Sequence, residues 1–299
     1  MRKGFNFSVF LPPIIFISLS SVKYSAIMIV FPNAKINIGL FVTEKREDGF
    51  HNLETVFYPI GLSDILEINP AEGEIGSCFF EQTGIDVGCE AEKNLTVKAY
   101  RLLAADYSLP AVRMHLHKVI PFGAGLGGGS SDAAFALKTL DECFGLSLTV
   151  EQLEAYAARL GSDCAFFVRN RPAFAGGKGE VLEPVEVALD DYRLVLVKPP
   201  FGVSTPEAYA GITPRAADFD LHRLPGVPLE CWRGQVRNDF EEHVFRLYPR
   251  LAAIKEQLYA SGASYASMTG SGSAVYGLFP RRAEIALDCP DCFVWQEDK

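Results

Sequence analysis

The chain has 299 residues, of which 48% are hydrophobic and 22% are charged, and its formal net charge at pH 7 is −9. This length exceeds what one hydrophobic core usually serves, so we expect two domains. An acidic chain lacks the basic field that nucleic-acid binding requires, which excludes a nucleic acid as the main partner but leaves room for a small phosphate-binding site.

The first 27 residues contain an apolar stretch, residues 5–22, behind two basic residues, and this pattern imitates a signal peptide. Tyr24 stands where a cleavage site needs a small residue, and a Pro-Pro pair weakens a membrane-spanning helix. We interpret residues 1–27 as an extension outside the domains, with Met28 as a candidate start of the folded chain. A membrane anchor is the alternative.

The remaining elements follow from hydrophobic periodicity. Alternation over residues 29–69 predicts strands of an antiparallel sheet. After these come, in order, a helix (94–105), a strand (112–119), two helices (130–144, 150–160), a strand (193–198), two helices (241–247, 251–260) and three strands (264–268, 274–279, 293–296). Strands and helices in this mixed order indicate an α+β fold. We place a domain boundary near residues 183–191, which gives domains over 28–185 and 186–299.

Residues 121–134, PFGAGLGGGSSDAA, form a glycine-rich loop that leads directly into a predicted helix. Glycine at this density implies a backbone with positive φ or close approach to another group. The free N–H groups of such a loop and of a helix start together make a site for phosphate. The loop therefore predicts a nucleotide phosphate site.

Three other glycine-rich loops fit the sequence less well. Residues 123–128 satisfy the G-x-G-x-x-G pattern, but the next helix is followed by a capping box (149–152) and a second helix, where a dinucleotide fold needs a strand. A Walker A loop needs Lys where Ser130 follows Gly129. A protein-kinase loop needs V-A-I-K and H-R-D segments, and neither is present. A flexible linker is not flanked by a strand and an amphipathic helix.

Three segments in the right order resemble the motifs of the GHMP small-molecule kinases: residues 32–40 (PNAKINIGL), 121–131 and 268–276 (MTGSGSAVY). The resemblance implies an N-terminal domain like ribosomal protein S5 domain 2 and a C-terminal ferredoxin-like domain, with the active site in the cleft between them. It also implies ATP as co-substrate, Mg²⁺, and a small molecule as phosphoryl acceptor.

Further segments resemble one branch of this family: residues 48–56 (DGFHNLETV), 161–167 (GSDCAFF) and 238–241 (NDFE). That branch phosphorylates the 2-hydroxyl of a cytidine diphosphate-linked methylerythritol in the non-mevalonate route to isoprenoid precursors. Phe50, Cys164, Ala165 and Phe240 depart from the branch pattern. The alternatives are a family member with a mevalonate-type, homoserine or sugar substrate, a non-catalytic nucleotide-binding regulator, and a membrane-anchored receptor that rests on residues 5–22 alone.

The resemblance implies that Lys35 and Asp163 are the catalytic pair, with Asp163 as the base and Lys35 facing it across the reacting hydroxyl. A carboxylate at the edge of the apolar run 165–168 suits a proton acceptor, whereas spacing alone fits a turn or helix-cap Asp equally well. Lys35 lies in an alternating strand pattern, and by itself it would be interpreted as a solvated outer-face residue.

The remaining predicted site residues fall into two groups. ATP binding is expected at Pro121, Phe122, Gly123, Ala124, Gly125, Leu126, Gly127, Gly128, Gly129, Ser130 and Ser131. Ser131 is a candidate Mg²⁺ ligand, and the alternative is that both serines cap the helix. Substrate binding is expected at Asn37, Phe50, His51, Tyr209, Gly270, Ser271 and Gly272.

Plainer interpretations of the second group are that Phe50 and Tyr209 pack in a core, that His51 is structural and that residues 270–273 form a hairpin turn. We interpret Asp239 and Glu241 as helix-start residues.

Seven scattered cysteines, an odd number, favour free thiols in a reducing compartment, so we expect a cytoplasmic protein without stable membrane association. Cys289 and Cys292 form a C-x-x-C pair, but no second pair or His cluster accompanies them. We therefore predict no zinc site there.

Overall fold

The computed structural model describes residues 15–18 and 26–297. Residues 1–14 and 19–25 of the N-terminal extension lie outside the described residues. The predicted alternative of a membrane anchor falls largely on these residues. In the described part of the chain, no helix is both long and apolar enough to cross a membrane.

Thirteen strands and seven α-helices are present in the described residues. The strands are β1 Ile15–Ser18, β2 Ala26–Val30, β3 Asn33–Lys45, β4 His51–Ser63, β5 Ile65–Pro70, β6 Cys78–Gly84, β7 Val112–Lys118, β8 Ala173–Gly176, β9 Val181–Pro184, β10 Tyr192–Lys198, β11 Tyr265–Met268, β12 Val275–Pro280 and β13 Phe293–Glu297. The helices are α1 Leu95–Asp106, α2 Gly128–Phe144, α3 Val150–Leu160, α4 Cys164–Arg169, α5 Thr205–Ala210, α6 Phe240–Leu247 and α7 Pro249–Ala260. Short 3-10 helices lie at Ala91–Lys93, Leu221–Gly226 and Leu229–Cys231.

The strands form three sheets, with orders β1-β2-β5-β7-β6, β3-β4-β8-β9 and β11-β12-β10-β13. Every pairing is antiparallel except β6 with β7. The expected single antiparallel sheet over residues 29–69 is wrong in one respect: β2 and β5 belong to the first sheet, whereas β3 and β4 belong to the second. Alternation shows which face of a strand is buried but does not select the neighbouring strand.

Local signals placed most helices correctly. Asn94 caps α1 by accepting from the Thr96 N–H, and the predicted capping box of α3 is present between Thr149 and Gln152. Helix α2 begins at Gly128, two residues earlier than expected, so Ser130 and Ser131 lie inside its first turn. The sequence pattern missed β1, which pairs with β2 in the first sheet although it lies in the predicted extension. It also missed β6, β8, β9 and the short helices α4 and α5.

Three apolar clusters hold these layers together. In the first, helices α1 to α4 pack on the first sheet, with Tyr100, Leu137 and Phe166 fully buried. The second cluster joins the second and third sheets, and the third lies between the third sheet and α6 with α7. Because the second cluster is continuous across two sheets, β3 is fixed between the N-terminal and C-terminal halves of the chain, where the cleft opens.

Candidate active site

A cavity of about 650 Å³ brings most of the predicted site residues together. Its lining includes Lys35, Asn37, Pro121 to Ser130, Asp163, Tyr209 and Gly270 to Gly272. Ser131, Phe50 and His51 are not among the described residues that line it. Strand β3, the glycine-rich loop, the segment before α4 and the β11–β12 loop therefore meet at one place.

The glycine-rich loop presents a helix N-terminus to this cavity. Gly127 is the N-cap of α2 in a left-handed conformation, and the first N–H groups of a helix have no intrahelical acceptor. They and the helix dipole make a site for an anion. The predicted capping role of Ser130 and Ser131 is wrong, because Gly127 is the N-cap. Ser130 is a lining residue of the cavity, while the Ser131 hydroxyl is buried without a hydrogen-bond partner in the described residues.

Two glycines of the loop are explained by protein neighbours. At Gly125 φ is +74°, and a Cβ there would lie 2.1 Å from the carbonyl oxygen of Thr269. At Gly127 φ is +70°, and a Cβ would lie 3.0 Å from Phe167 and 3.2 Å from Cε of Lys35. A side chain at either position would push the loop away from the other two motifs, so glycine here permits their close approach.

Lys35 and Asp163 form an ion pair inside the cavity. The Lys35 Nζ atom lies 3.5 Å from Asp163 Oδ2, and the two side chains are 4% and 31% exposed. Burial lowers the pKa of Lys35, and the nearby Asp163 carboxylate only partly opposes this. Asp163 stands before α4 but makes no side-chain cap bond, so the helix-cap interpretation is wrong. Lys35 is buried, which corrects the interpretation of an outer-face lysine.

Thr269, which the sequence analysis did not select, joins all three motifs. Its hydroxyl accepts from the Asn37 backbone N–H at 3.0 Å and lies 3.1 Å from the Gly125 carbonyl oxygen, to which it can donate. The Asn37 side chain accepts from Lys35 Nζ at 2.6 Å and donates to the Thr55 hydroxyl at 3.0 Å. Asn37 lines the cavity, but these bonds occupy its amide group, so it also orients Lys35.

The NDFE segment holds the third motif in place. Asn238 donates to the carbonyl oxygens of Met268 and Gly270, each at 2.8 Å. Glu241 accepts from the Met268 N–H at 2.8 Å and from Lys255 at 2.6 Å. Glu241 stands in the first turn of α6, as expected, and its carboxylate also anchors β11. Asp239 occupies the N-cap position without a cap bond, and it accepts instead from the Val42 N–H at 2.9 Å.

Aromatic side chains lie at the edge of the cavity, where Tyr209 lines it and His51 packs on Tyr209 from outside the lining. The rings of His51 and Tyr209 stack with centroids 4.7 Å apart and planes at 24°. Phe50 is 58% exposed, so the interpretation of a core residue is wrong. Lys178, another residue that the sequence analysis missed, lines the cavity and places its Nζ atom 4.8 Å from the centre of the Phe50 ring. A flat, polar ring system would fit among these groups.

All seven cysteines are free thiols. In the described part of the chain, no group of three or more His, Cys, Asp or Glu side chains could hold a metal ion. Cys292 donates its backbone N–H to the Cys289 carbonyl oxygen, so the C-x-x-C pair closes a turn before β13.

Comparison with known sequences gives a consistent result. The family model for the GHMP kinases N terminal domain matches residues 94–171, and that for GHMP kinases C terminal matches residues 229–290. A 4-diphosphocytidyl-2-C-methyl-D-erythritol kinase from Bacteroides fragilis is 51% identical over 272 residues, covering 91% of this chain and 99% of the relative. The protein of the same name from Porphyromonas gingivalis is 45% identical, covering 90% and 98%.

Solved structures agree in fold. A crystal structure of 4-(cytidine 5'-diphospho)-2C-methyl-D-erythritol kinase matches with a TM-score of 0.73 and 35% identity, over 84% of this chain and 90% of the other. Homoserine kinase from Cytophaga hutchinsonii matches with a TM-score of 0.60 at 15% identity, over 83% and 85%, which shows a shared fold alone. With its two-domain fold, the chain therefore belongs to the GHMP kinase family.

Proposed function

We propose that this chain transfers the γ-phosphoryl group of ATP to the 2-hydroxyl of 4-diphosphocytidyl-2-C-methyl-D-erythritol, a step in the synthesis of isoprenoid precursors. The observation that carries this proposal is the pair of Lys35 and Asp163, 3.5 Å apart, in the cavity that the glycine-rich loop also lines. The identity of 51% to a relative with this activity in its name supports the choice of acceptor.

The loop from Pro121 to Ser130 binds the phosphates of ATP. Phosphoryl transfer depends mainly on positioning and on stabilising the charge of the transferred group. Backbone N–H groups at the start of α2 and the dipole of this 17-residue helix supply both functions at the loop. Gly129 has open space around it, since a Cβ at this residue would have no neighbour closer than 3.9 Å, so a phosphate can approach the backbone there.

The acceptor hydroxyl lies between Asp163 and Lys35. Asp163 accepts the hydroxyl proton as the oxygen attacks the γ-phosphorus, and the bond from that phosphorus to the bridging oxygen of ADP breaks. A carboxylate that is 31% exposed remains accessible to the hydroxyl. The Lys35 ammonium, held by Asn37 at 2.6 Å, stabilises the negative charge that develops on the attacking oxygen.

The donor set fits a magnesium ion that arrives with ATP. Mg²⁺ prefers oxygen ligands and usually keeps phosphates and waters around it, with only one or two protein ligands. Ser130 is among the residues that line the cavity, whereas Ser131 is not and its hydroxyl is buried. We therefore assign Ser130, in place of Ser131, as the protein contact of Mg²⁺, which neutralises phosphate charge when bound.

The aromatic side chains at the edge of the cavity bind the cytidyl group. Phe50, His51 and Tyr209 supply ring faces for stacking, and Lys178 supplies a positive charge for an oxygen of the base or of the diphosphate. The stacked rings of His51 and Tyr209 must separate if the base is to lie between them.

The test is ADP release by the purified full chain with ATP, Mg²⁺ and a panel of acceptors: 4-diphosphocytidyl-2-C-methyl-D-erythritol, mevalonate, homoserine and galactose. We expect turnover with the cytidyl compound alone, and the product should carry phosphate on the 2-hydroxyl by ³¹P NMR. Turnover with another acceptor would overturn the assignment of Phe50, His51 and Tyr209. No turnover, with ATP still bound, would favour a non-catalytic regulator.

A further inference from the structure

A buried ion cluster outside the catalytic pair ties together the two ends of the phosphate loop. Lys118, the last residue of β7, donates through Nζ to Asp64 and, at 2.7 Å, to Asp132 Oδ2. Asp64 lies between β4 and β5, and Asp132 lies in α2, four residues after its first residue. The side chains of Lys118, Asp64 and Asp132 are 6%, 0% and 3% exposed, so water does not satisfy them.

The same cluster holds the backbone that enters the loop. The second oxygen of Asp64, Oδ1, accepts from the N–H groups of Val119 at 2.6 Å and Ile120 at 2.8 Å. Asp64 therefore fixes the entry to the loop, Asp132 belongs to the helix at its exit, and Lys118 links the two carboxylates. A Cβ on Gly128 would lie 3.4 Å from Lys118 Nζ, so the ammonium lies next to the first residue of α2.

The cluster contains more negative than positive groups. With all three ionised, it would carry one excess negative charge in the interior, which is costly. Asp132 Oδ1 has no hydrogen-bond partner in the described residues. Burial raises the pKa of Asp132 to about 8; the Lys118 ammonium opposes this rise only in part, and the Asp64 charge adds to it. Burial disfavours the charge on Lys118, but the two carboxylates prevail and raise its pKa.

We propose that Asp64, Lys118 and Asp132 are positioning residues for ATP: they fix the end of β7 and the start of α2, between which the phosphate-binding loop lies. Lys118 and Asp132 both line the cavity, so the charge of the cluster acts directly on a bound anion. This inference rests on the proposed binding of the ATP phosphates to the loop.

The experiment measures KM for ATP, kcat and, by calorimetry, the Kd of ADP. Asp132→Asn keeps an oxygen that accepts from Lys118, so its KM and Kd should stay within about threefold of wild type. Asp132→Leu removes a partner of the buried ammonium and should raise KM and Kd by about tenfold, with kcat changed less than about threefold.

Asp64→Asn should raise KM by a similar factor, because its amide places an N–H group toward Lys118. The matched control is Asp106→Asn, an exposed carboxylate near Arg159, which should behave as wild type. If Asp64→Asn fails to fold, Asp132→Asn and Asp132→Leu still decide the question.

An Asp132→Leu chain that binds ADP and ATP as tightly as wild type would overturn the proposal. So would variants with a lower melting temperature but an unchanged ADP Kd, because the cluster would then be structural only. If the variants change the Kd of ADP as expected but the wild-type chain phosphorylates no cytidyl acceptor, the acceptor assignment fails while the positioning role stands.

Discussion

Two buried lysines, Lys35 and Lys118, line the same cavity, but they differ in the number and the burial of their carboxylate partners. Lys35 has one carboxylate partner in reach, at 3.5 Å, and that partner is 31% exposed. Lys118 has two carboxylate partners, and both are buried. Burial dominates at Lys35 and lowers its pKa, whereas the paired carboxylates dominate at Lys118 and raise its pKa.

We infer from this difference that one of the two lysines acts in the proposed chemistry and the other in the architecture of the site. Around Lys35, the carboxylate is close to the ammonium but still accessible, so a substrate hydroxyl can come between them. Around Lys118, the carboxylates are fully engaged, and one of them also binds two backbone N–H groups. We infer that an incompletely neutralised lysine with an accessible partner acts on substrate, and that a fully enclosed one holds the backbone.

The largest expected effect comes from the carboxylate of the catalytic pair. Asp163→Asn removes the proton acceptor while keeping the size of the side chain, so kcat should fall by about 10³-fold, with KM for ATP changed by less than about threefold. Steady-state ADP release measures both. Asp291→Asn, an exposed partner of Arg250, is the control. A kcat close to wild type would remove Asp163 from the mechanism and make the two lysine sites alike.

The lysines themselves can be compared by the same substitution. Lys35→Arg should lower kcat by about 10²-fold, because a planar guanidinium cannot keep the geometry of the ammonium. Because burial lowers the pKa of Lys35, its ammonium loses its proton at a lower pH than an ordinary lysine does. The wild-type kcat should therefore decline in alkali at that lower pH. Lys118→Arg should instead raise the KM for ATP and change kcat less. Equal effects on kcat in both variants would contradict the division of roles.

The junction between the motifs should show a smaller effect. Thr269→Val deletes the hydroxyl that contacts Asn37 and Gly125, so kcat should fall by about tenfold and the free energy of unfolding by about 1–2 kcal/mol. Urea unfolding and kinetics measure the two quantities. Thr213→Val, at an exposed position after α5, is the control. Unchanged kinetics would show that the loop and β3 hold their positions without Thr269.

Phe50→Ala lies outside both lysine sites and should have the smallest and most selective effect. If its ring stacks on the cytosine base, KM for the cytidyl acceptor should rise by about tenfold, while KM for ATP stays the same. Stability should change little, because the ring is 58% exposed. Phe79→Ala, at an exposed position on β6, should leave both KM values unchanged. An unchanged KM for the acceptor would leave Phe50 without a role in binding.

Much of the site could be predicted because its signals are local. The glycine-rich loop predicted a helix start, and α2 begins within that segment, at Gly128. The capping box predicted the start of α3, and resemblance to known motifs selected Lys35 and Asp163, which the structure brings together. Lys178 and Thr269 carried no comparable signal, because a lysine between glycines and a threonine beside a turn are common on protein surfaces.

The sequence by itself determined most of the element types, the glycine-rich loop before α2 and the family, because these depend on short stretches of chain and on motif order. Only the tertiary structure decided which strands share a sheet and which side chains meet across the cavity. Asp64 and Lys118 are 54 residues apart, and Asn37 and Thr269 are 232 residues apart. Neither periodicity nor spacing reports such contacts, since they form only when the sheets and helices pack and bury these polar groups against one another.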